Sequence, residues 1–367
     1  MYAQDHDSNC WWKNSLQVCG IDPGTSRWGF YGFEERTTIL DRSISTSDWN
    51  EIQKQLEEIC QLNFDCIIAP SGYGVPLKLL SDLDDQDREL LALWSGEGRI
   101  GINKSLKILE RASCRVFVIP GVKHLSSVPA HRKINRVDLG TPDKVCAVAY
   151  SMVYLHTKLG IPFPQMNFVF AELGTGFNAF LRVVNGTIVD GIGGSNASFG
   201  FRSGGALDAE VAYLLGKIRK RIVFEGGVLS GIEAFKTFSW LKEKYPILWN
   251  AFLEGIVKDI ARVSAIEPRT DLVLLSGKLA NDRTLVEHVN SALIEQRVLH
   301  VQTDFKAGQA AVGAAYIAEG LHQGYYYELV KSLGLQLSSG KSIDGILYRP
   351  TEANSLLQSL RVDIENS

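Results

Sequence analysis

The chain has 367 residues, 45% of them hydrophobic, and a formal net charge of −3. This length can bury two medium-sized cores, and the charge gives no broad basic face for nucleic acid. No apolar run reaches the 18 residues of a membrane span, so we expect no membrane contact. Six cysteines form no CxxC pair, which favours reduced thiols in a cytoplasmic protein over disulfides or a metal site.

The first half of the chain predicts a mixed α/β lobe. Residues 1–15 are polar and acidic apart from a Trp pair, lack the apolar core of a signal peptide, and are expected to form a disordered tail. Strand and helix patterns then alternate up to a Pro-rich joint at 160–167. The predicted strands are 17–21, 28–33, 37–44, 64–69 and 115–119, and the predicted helices are 48–60, 102–111 and 142–158.

The second half repeats the opening of the first. Three strands form a predicted meander, two helical regions follow, and a strand-helix-strand-helix set closes the pattern. The predicted strands are 167–172, 178–184, 187–192, 271–277 and 298–303, and the predicted helices are 206–220, 232–263, 283–295 and 310–333. We therefore expect an N-terminal lobe at 16–163, a C-terminal lobe at 164–333 whose last helix packs back toward the first lobe, and a C-terminal extension at 334–367.

Two short matches support duplication of a whole lobe. Asp22-Pro-Gly-Thr25 and Glu172-Leu-Gly-Thr175 lie 150 residues apart, and each follows one strand and precedes another. Thr38–Asp41 and Thr187–Asp190 then match at an offset of 149, each in the third strand of its meander. The shared order of strand, acid, Gly-Thr turn and strand favours duplication over chance.

The repeated turn has the chemistry of a phosphate site. Glycine lets the backbone approach an anion, and turn N–H groups with a Thr hydroxyl can cradle phosphate oxygens. The predicted cradle residues are Gly24, Thr25 and Ser26 in the first turn and Gly174, Thr175 and Gly176 in the second. A carboxylate beside polyphosphate needs an intervening cation, so Asp22 and Glu172 are predicted to hold Mg²⁺, through water, between two turns that face one another.

Two other phosphate motifs are weaker. The run GTGFNA at 174–179 fits the dinucleotide pattern, but a strand-like sequence follows it where that motif requires a helix. The run GLQLSSGKS at 334–342 resembles a P-loop, yet it has five residues between its glycines where four are required. We interpret the second run as a polar loop.

Four motifs, in the order they occur, resemble the phosphate-1, phosphate-2, adenosine and second connecting motifs of the actin, sugar kinase and heat-shock ATPase superfamily. They are GIDPGTS (20–26), AELGTGFNA (171–179), LLSGKLAND (274–282) and AGQAAVGAAY (307–316). Three further segments resemble the mainly archaeal DUF1464 family, often described as predicted butyrate kinases. They are APSGYGVPLK (69–78), 119–144 and VDGIGG (189–194).

The resemblance covers about residues 17–330 and implies a duplicated, two-lobed, actin-like ATPase fold of the ribonuclease H-like type, with a nucleotide cleft between mixed sheets. It implies ATP and Mg²⁺ as cofactors, with the adenosine on the turn Ser276-Gly277-Lys278. It also implies a kinase for a small carboxylate such as butyrate, and a homodimer. The chain has Asp22 where acetate and butyrate kinases usually carry Asn, which makes ATP binding the firmer part of this expectation.

The basic segment AHRKINRVD, 130–138, supplies the predicted catalytic residues beside Asp22. Within the implied fold we expect Arg132 to stabilise charge on the transferring phosphoryl group and His131 to donate a hydrogen bond. Asn135 of the same segment is a candidate substrate ligand. The glycine-rich run 193–210 predicts either a substrate loop in which Arg202 clamps the carboxylate or a mobile surface loop.

A carboxylate acceptor needs no general base because it is ionised at neutral pH. A sugar acceptor would need an aspartate base, for which Asp138, Asp190 and Asp208 are candidates. Two further alternatives are an ATPase that drives a partner protein and a nucleotide-binding regulatory protein without turnover. Activators of the first kind commonly use cysteines at a dimer interface, and no suitable cysteine pattern is present.

Overall fold

The computed structural model describes residues 15–93, 101–266 and 268–348. The tail predicted at the N-terminus lies outside the described residues except for Ser15, and so does the C-terminal extension beyond residue 348. No helix in the part of the chain that the structure describes is long and apolar enough to cross a membrane. The cysteines within these ranges are all free thiols.

Two mixed sheets with the same topology form the framework. The first has the order β3-β2-β1-β4-β6-β5 and the second the order β9-β8-β7-β10-β11. In each sheet the first three strands are antiparallel, and the next two run parallel to the first. The strands are β1 (Gln17–Pro23), β2 (Arg27–Glu34), β3 (Thr37–Ser45), β4 (Cys66–Ile68), β5 (Lys78–Leu79), β6 (Arg115–Val118), β7 (Phe168–Leu173), β8 (Asn178–Val184), β9 (Thr187–Ile192), β10 (Leu272–Ser276) and β11 (Arg297–His300).

The pairing registers show that the duplication keeps one offset throughout. Glu34 pairs with Thr37 and Val184 pairs with Thr187, each across a two-residue turn, so Thr187 corresponds to Thr37. A register shift follows at residues 32/33 in the first sheet and at 182/183 in the second, which is again an offset of 150. The sequence match at an offset of 149 was therefore wrong in register, and Asp41 and Asp190 are not equivalent.

The helices differ from the prediction mainly where turns divide them. They are α1 (Trp49–Gln61), α2 (Asp85–Ala92), α3 (Ile102–Leu109), α4 (Pro142–Leu159), α5 (Ala209–Leu215), α6 (Phe238–Lys244), α7 (Pro246–Ser264), α8 (Arg283–Ala292), α9 (Gln309–Leu321) and α10 (Tyr327–Leu333). The helix predicted at 232–263 is two helices because Pro246 occupies the first position of α7. The helix predicted at 310–333 breaks near Gln323, whose φ is 59°. Helix α5 is shorter than its predicted 206–220.

Helix α2 was not predicted from the sequence, although its first residues carry a helix-capping signal. Asp84 accepts a hydrogen bond from the Asp87 backbone N–H, and the Asp87 carboxylate accepts one from the Asp84 backbone, which is a capping box. Two buried leucines, Leu90 and Leu91, fix this helix to the first core.

The layers alternate helix, sheet, helix, sheet and helix. Helices α1, α2 and α3 cover the outer face of the first sheet, and α6, α7 and α8 cover the outer face of the second. Helices α4, α9 and α10 fill the space between the sheets, where one apolar cluster joins side chains of both. Helix α9, although it is late in the chain, packs on β1 and β2 of the first sheet.

The described part of the C-terminal extension lies on the first lobe. The Ser339 backbone N–H donates to the His124 carbonyl oxygen at 2.8 Å, and the Leu77 N–H donates to the Ser338 hydroxyl at 2.9 Å. The ammonium of Lys123 donates to the Asp344 carbonyl oxygen at 2.5 Å. The P-loop-like run in this extension is a 3₁₀ turn, Leu335–Leu337, followed by a loop, which agrees with its interpretation as a polar loop.

The close approach of α4 and α9 gives a stability prediction. A Cβ atom at Gly313 would overlap the backbone carbonyl oxygen of Cys146, which cannot move without shifting α4. We expect Gly313→Ala to lower the free energy of unfolding by about 1–3 kcal/mol, measured by urea denaturation. Gly101→Ala is the control, because its Cβ would make only an ordinary contact, 3.5 Å from Trp28. Equal stability of the two variants would contradict this packing.

Candidate functional site

A cleft of about 1040 Å³ opens where the carboxyl ends of β1, β7 and β10 approach one another. Ligands of α/β proteins bind at such strand ends, since the loops that follow the strands converge there. All nine predicted cofactor-binding residues line this cavity: Gly24, Thr25, Ser26, Gly174, Thr175, Gly176, Ser276, Gly277 and Lys278. Asp22 and Glu172 line it as well.

The two glycine turns face one another across the cleft, as the sequence predicted. A Cβ atom at Gly176 would lie 2.8 Å from the Thr25 hydroxyl oxygen, so the turns are in contact. The second turn is closed by a hydrogen bond from the Gly174 N–H to the Phe177 carbonyl oxygen, at 3.0 Å. A polyphosphate entering here would therefore meet backbone N–H groups from both lobes.

A lysine at the start of α4 links the carboxylates at the base of the cleft. Lys144 donates to Asp143 at 2.6 Å and to Glu172 at 2.7 Å, so it joins the first lobe to the end of β7. The Oδ1 atom of Asp22 is inaccessible and has no hydrogen-bond partner. Sequence analysis gave no role to Asp143 or Lys144, because only the packing of α4 between the sheets brings them to Glu172.

The cluster carries more negative charge than its lysine can neutralise. Burial and the charge of Asp143 raise the pKa of Asp22 to about 8, although Lys144 opposes the shift. Burial also raises the pKa of Glu172. At Asp143 burial acts in the same direction, but the charge of Lys144 and the hydrogen bonds from Lys144 and Thr141 together outweigh it and lower the pKa. The pKa of Lys144 rises because its two carboxylate partners outweigh the cost of burying its charge. Such a site favours an added cation.

The orphaned oxygen of Asp22 fits the predicted magnesium ion. Carboxylate oxygens are the ligands that Mg²⁺ prefers, and the ion usually keeps several waters. Among the described residues, no three His, Cys, Asp or Glu side chains group closely enough to hold a metal ion by themselves. An ion at Asp22 and Glu172 would therefore complete its shell with water and with phosphate oxygens.

The predicted adenosine turn, 276–278, also lines the cavity, directly beside the end of β7, where Ser276 pairs with Glu172. Ser276 ends β10, and its hydroxyl is hydrogen-bonded to Gln309 at the start of α9. Gly277 has a φ of 87°, and a Cβ atom there would lie 2.5 Å from the Leu173 carbonyl oxygen. Glycine is thus required at 277 by the contact with β7, so Gly277→Val would disturb the fold as well as any nucleotide. Lys278 lines the cavity and is the better probe of this turn.

The structure does not bring the predicted catalytic pair Arg132 and His131 to the cavity. The guanidinium of Arg132 donates to the Val189 carbonyl oxygen of edge strand β9 at 2.7 Å, and His131 is exposed. Neither side chain lines the cleft. Arg132 satisfies a backbone acceptor that the sheet leaves unpaired. Its predicted role in phosphoryl transfer stays a prediction, and the described geometry gives that role no support.

The two predicted substrate ligands also lie elsewhere. The Asn135 side chain accepts a hydrogen bond from the Leu347 N–H at 2.7 Å, and its backbone N–H donates to Gly345, so this residue holds the C-terminal extension. Arg202 is exposed and does not line the cavity. From the same predicted substrate loop, however, Gly194 and Ser195 do line it.

Of the three aspartates considered as bases, Asp138 is the one in the cleft. Its carboxylate accepts from the Gly140 N–H at 2.9 Å and lies 3.4 Å from the Ser195 N–H. Burial raises its pKa. Asp190 lies outside the cavity lining, near Arg132, and Asp208 caps α5 through the Glu210 N–H.

Comparison with solved structures identifies the class of fold. The chain superposes on acetate kinase from Porphyromonas gingivalis with a TM-score of 0.58 at 11% identity, covering 82% of this chain and 98% of that one. Acetate kinase from Entamoeba histolytica gives 0.55 at 12% identity, covering 76% and 86%. The ROK hexokinase from Thermus thermophilus gives 0.40 at 16%, covering 82% and 97%. The two acetate kinase structures confirm the duplicated, two-lobed, actin-like fold.

Within this class the chain belongs to the family described as "Protein of unknown function (DUF1464)", whose model matches residues 20–348. This confirms the family resemblance found in the sequence. No curated protein matches the sequence.

The raised pKa of Asp22 predicts an unusual stability effect. A carboxyl group whose pKa is about 8 in the folded state and about 4 in the unfolded state binds more protons when folded, so its contribution to stability is lost as pH rises from about 4 to 8. We expect Asp22→Asn to raise the melting temperature of the ligand-free protein at pH 8 by about 2–5 °C and to flatten its pH dependence.

Asp143→Asn is the matched control with the opposite sign. The pKa of Asp143 is lowered by Lys144, so its charged form stabilises the fold above pH 4, and its removal should lower the melting temperature at pH 8. Calorimetric melting of both variants from pH 5 to 8.5 tests the pair. A lower melting temperature for Asp22→Asn would contradict the excess of negative charge.

Proposed function

We propose that the protein is an ATP-dependent phosphotransferase that converts a small carboxylate, such as a short-chain acid, into an acyl phosphate. The observation that carries this proposal is the contact between two phosphate-type turns, one from each lobe, directly beside a carboxylate cluster with an orphaned oxygen. An ordinary structural pair of hairpins would not need uncompensated negative charge at their junction.

The cleft offers a separate place for each part of the nucleotide. The turn 276–278 and the cavity lining at 300–310 would receive the adenosine, and the turns at 24–26 and 174–176 would hold the phosphates. Asp22 and Glu172 would hold Mg²⁺ through water. The metal, when bound, would neutralise charge on the phosphates and on the cluster.

The chain's own residues would position the reactants. Phosphoryl transfer depends mainly on alignment and on charge stabilisation, and Lys144 is a buried cation already fixed by Asp143 and Glu172. One carboxylate oxygen of the acceptor attacks the γ-phosphorus, the bond to the β,γ-bridging oxygen breaks, and ADP leaves with that oxygen. No proton is transferred, so this reaction needs no general base.

Two considerations support a carboxylate acceptor. Both compared structures with a TM-score above 0.5 are acetate kinases by name, at 0.55 and 0.58. The cavity is also lined by the aromatic side chains of Tyr73, Phe177 and Phe224, which suits a small acid with an apolar chain.

One observation favours a second candidate, a kinase for a hydroxyl acceptor. Asp138 is buried in the cleft with a raised pKa, and a carboxylate in this position can accept a proton from an attacking hydroxyl. Under the carboxylate proposal Asp138 instead orders the loop through Gly140 and Ser195.

A trapping experiment tests the proposal. The protein is incubated with Mg-ATP, hydroxylamine and a panel of acids from acetate to hexanoate, and ADP and acyl hydroxamate are measured. We expect equal amounts of the two products with the best acid. ADP release that is independent of every acid, without hydroxamate, would instead indicate an ATPase, and no turnover would indicate a binding protein.

The variant Asp138→Asn separates the two kinase candidates. A carboxylate kinase has no base to lose, so we expect its kcat to fall less than about tenfold, whereas loss of a general base costs roughly 100- to 10,000-fold. The measurement is the rate of ADP formation with the best acid and with a panel of sugars. A loss above 100-fold on the best substrate would favour the hydroxyl acceptor.

A further inference from the structure

A segment inserted between β9 and α6, residues 193–237, reaches across the cleft to the first lobe. The ammonium of Lys220 donates a hydrogen bond to the Tyr73 hydroxyl oxygen at 3.1 Å and lies 4.8 Å from the centre of the Tyr73 ring. Tyr73 lines the cavity beside Ser71 and Gly72 of the first lobe. The insertion therefore contacts the first lobe at a residue that lines the cleft.

The ammonium of Lys220 has no ion-pair partner in the part of the chain that the structure describes. Lys220 is half-buried, and within the described ranges no Asp or Glu oxygen lies within ion-pair distance of its Nζ atom. Burial lowers the pKa of Lys220, and the more distant carboxylate of Asp138 only partly opposes this shift. An ammonium has three protons to donate, and the phenol uses one of them. Partial burial of a cation with unused donors is unfavourable, and an anion bound to those donors would offset this cost.

The phenol extends this donor arrangement into the cavity. Burial and the charge of Asp138 raise the pKa of Tyr73, so its hydroxyl stays protonated at neutral pH. Its oxygen accepts from Lys220, which leaves its own proton free to donate and makes it a stronger donor. An acceptor oxygen placed beside Tyr73 would meet this proton and the positive charge behind it.

An apolar wall stands beside these donors. Phe177, which follows the second glycine turn, packs against Phe224 of the insertion with ring centres 5.0 Å apart. Both rings line the same cavity as Tyr73. The two rings can cover only a few methylene groups of a ligand.

We propose that Tyr73 and Lys220 bind the carboxylate of the phosphoryl acceptor and that Phe177 and Phe224 pack on its hydrocarbon chain. This inference rests on the proposed function and makes the acceptor a short-chain monocarboxylate. One carboxylate oxygen accepts from Tyr73 and the other faces the γ-phosphate. The acid and ATP, with charges of −1 and −4, give an acyl phosphate and ADP, with charges of −2 and −3, so charge balances without a proton.

This site carries no local sequence signal, because its two donor residues are 147 residues apart in the chain.

Ligand-observed NMR titration of butyrate and of its neutral analogue butyramide tests the site without turnover. We expect Lys220→Met to raise the Kd of butyrate about 10- to 100-fold and to leave the Kd of butyramide within about twofold. Tyr73→Phe should weaken butyrate in the same direction. Lys217→Met is the control, because Lys217 is an exposed lysine of the same segment. It should change neither value.

Any other combination of Kd values for butyrate and butyramide contradicts the inference. If Lys220→Met weakens both ligands equally, the lysine only supports the fold; if it weakens neither, it does not bind the acid. Equal binding of butyrate and butyramide to the unaltered protein, or no binding of either, also contradicts it. The hydroxamate assay distinguishes failure of the proposed phosphotransfer from failure of the proposed acid site. Acid binding that depends on Lys220 without acyl phosphate would refute the phosphotransfer, whereas acyl phosphate formed normally by Lys220→Met would refute this site alone.

Discussion

The structure depends on how the charges of Asp22, Asp143 and Glu172 are balanced at the junction of the two lobes. Lys144 bridges Asp143 and Glu172, and so connects the start of α4 in the first lobe with the end of β7 in the second. Burial, together with the charge of Asp143, raises the pKa of Asp22 to about 8. The Oδ1 atom of Asp22 has no hydrogen-bond partner, and the one ammonium of the cluster is hydrogen-bonded to the other two carboxylates. The resting site is therefore electrostatically incomplete, and a metal-bound polyphosphate would complete it.

Packing of α4 and α9 between the sheets makes this arrangement possible. Both helices contribute to the apolar cluster that the two sheets share. The glycine turns that follow β1 and β7 are therefore held in contact with each other. The connection between β6 and α4 adds cross-lobe hydrogen bonds from Ser127 and Arg132 to the carbonyl oxygens of Ile188 and Val189. These contacts join the two lobes, and the insertion that carries Lys220 contacts the first lobe separately at Tyr73. Closure of the cleft around a substrate would involve that insertion.

The sequence predicted those features whose signals are local. The Asp-Pro-Gly-Thr and Glu-Leu-Gly-Thr turns and the turn predicted to receive the adenosine, 276–278, all line the cleft, because a glycine turn after a buried strand is determined by neighbouring residues. The 149-residue match failed because the position of a β-bulge depends on pairing between strands. The predicted site role of Arg132 found no support, since a basic segment looks the same in sequence whether its partner is a ligand or a strand edge. Lys144 and Lys220 were missed because only tertiary packing supplies their partners.

The most direct test of this account is the metal dependence of nucleotide binding. Isothermal titration of ATP into the protein, with Mg²⁺ and then with EDTA, measures whether the carboxylate cluster and the facing turns act together. We expect ATP to bind in the presence of Mg²⁺ and to bind at least about tenfold more weakly without it, because polyphosphate would then meet uncompensated carboxylates. Absence of binding at millimolar ATP, or equal affinity with and without the metal, would contradict the account.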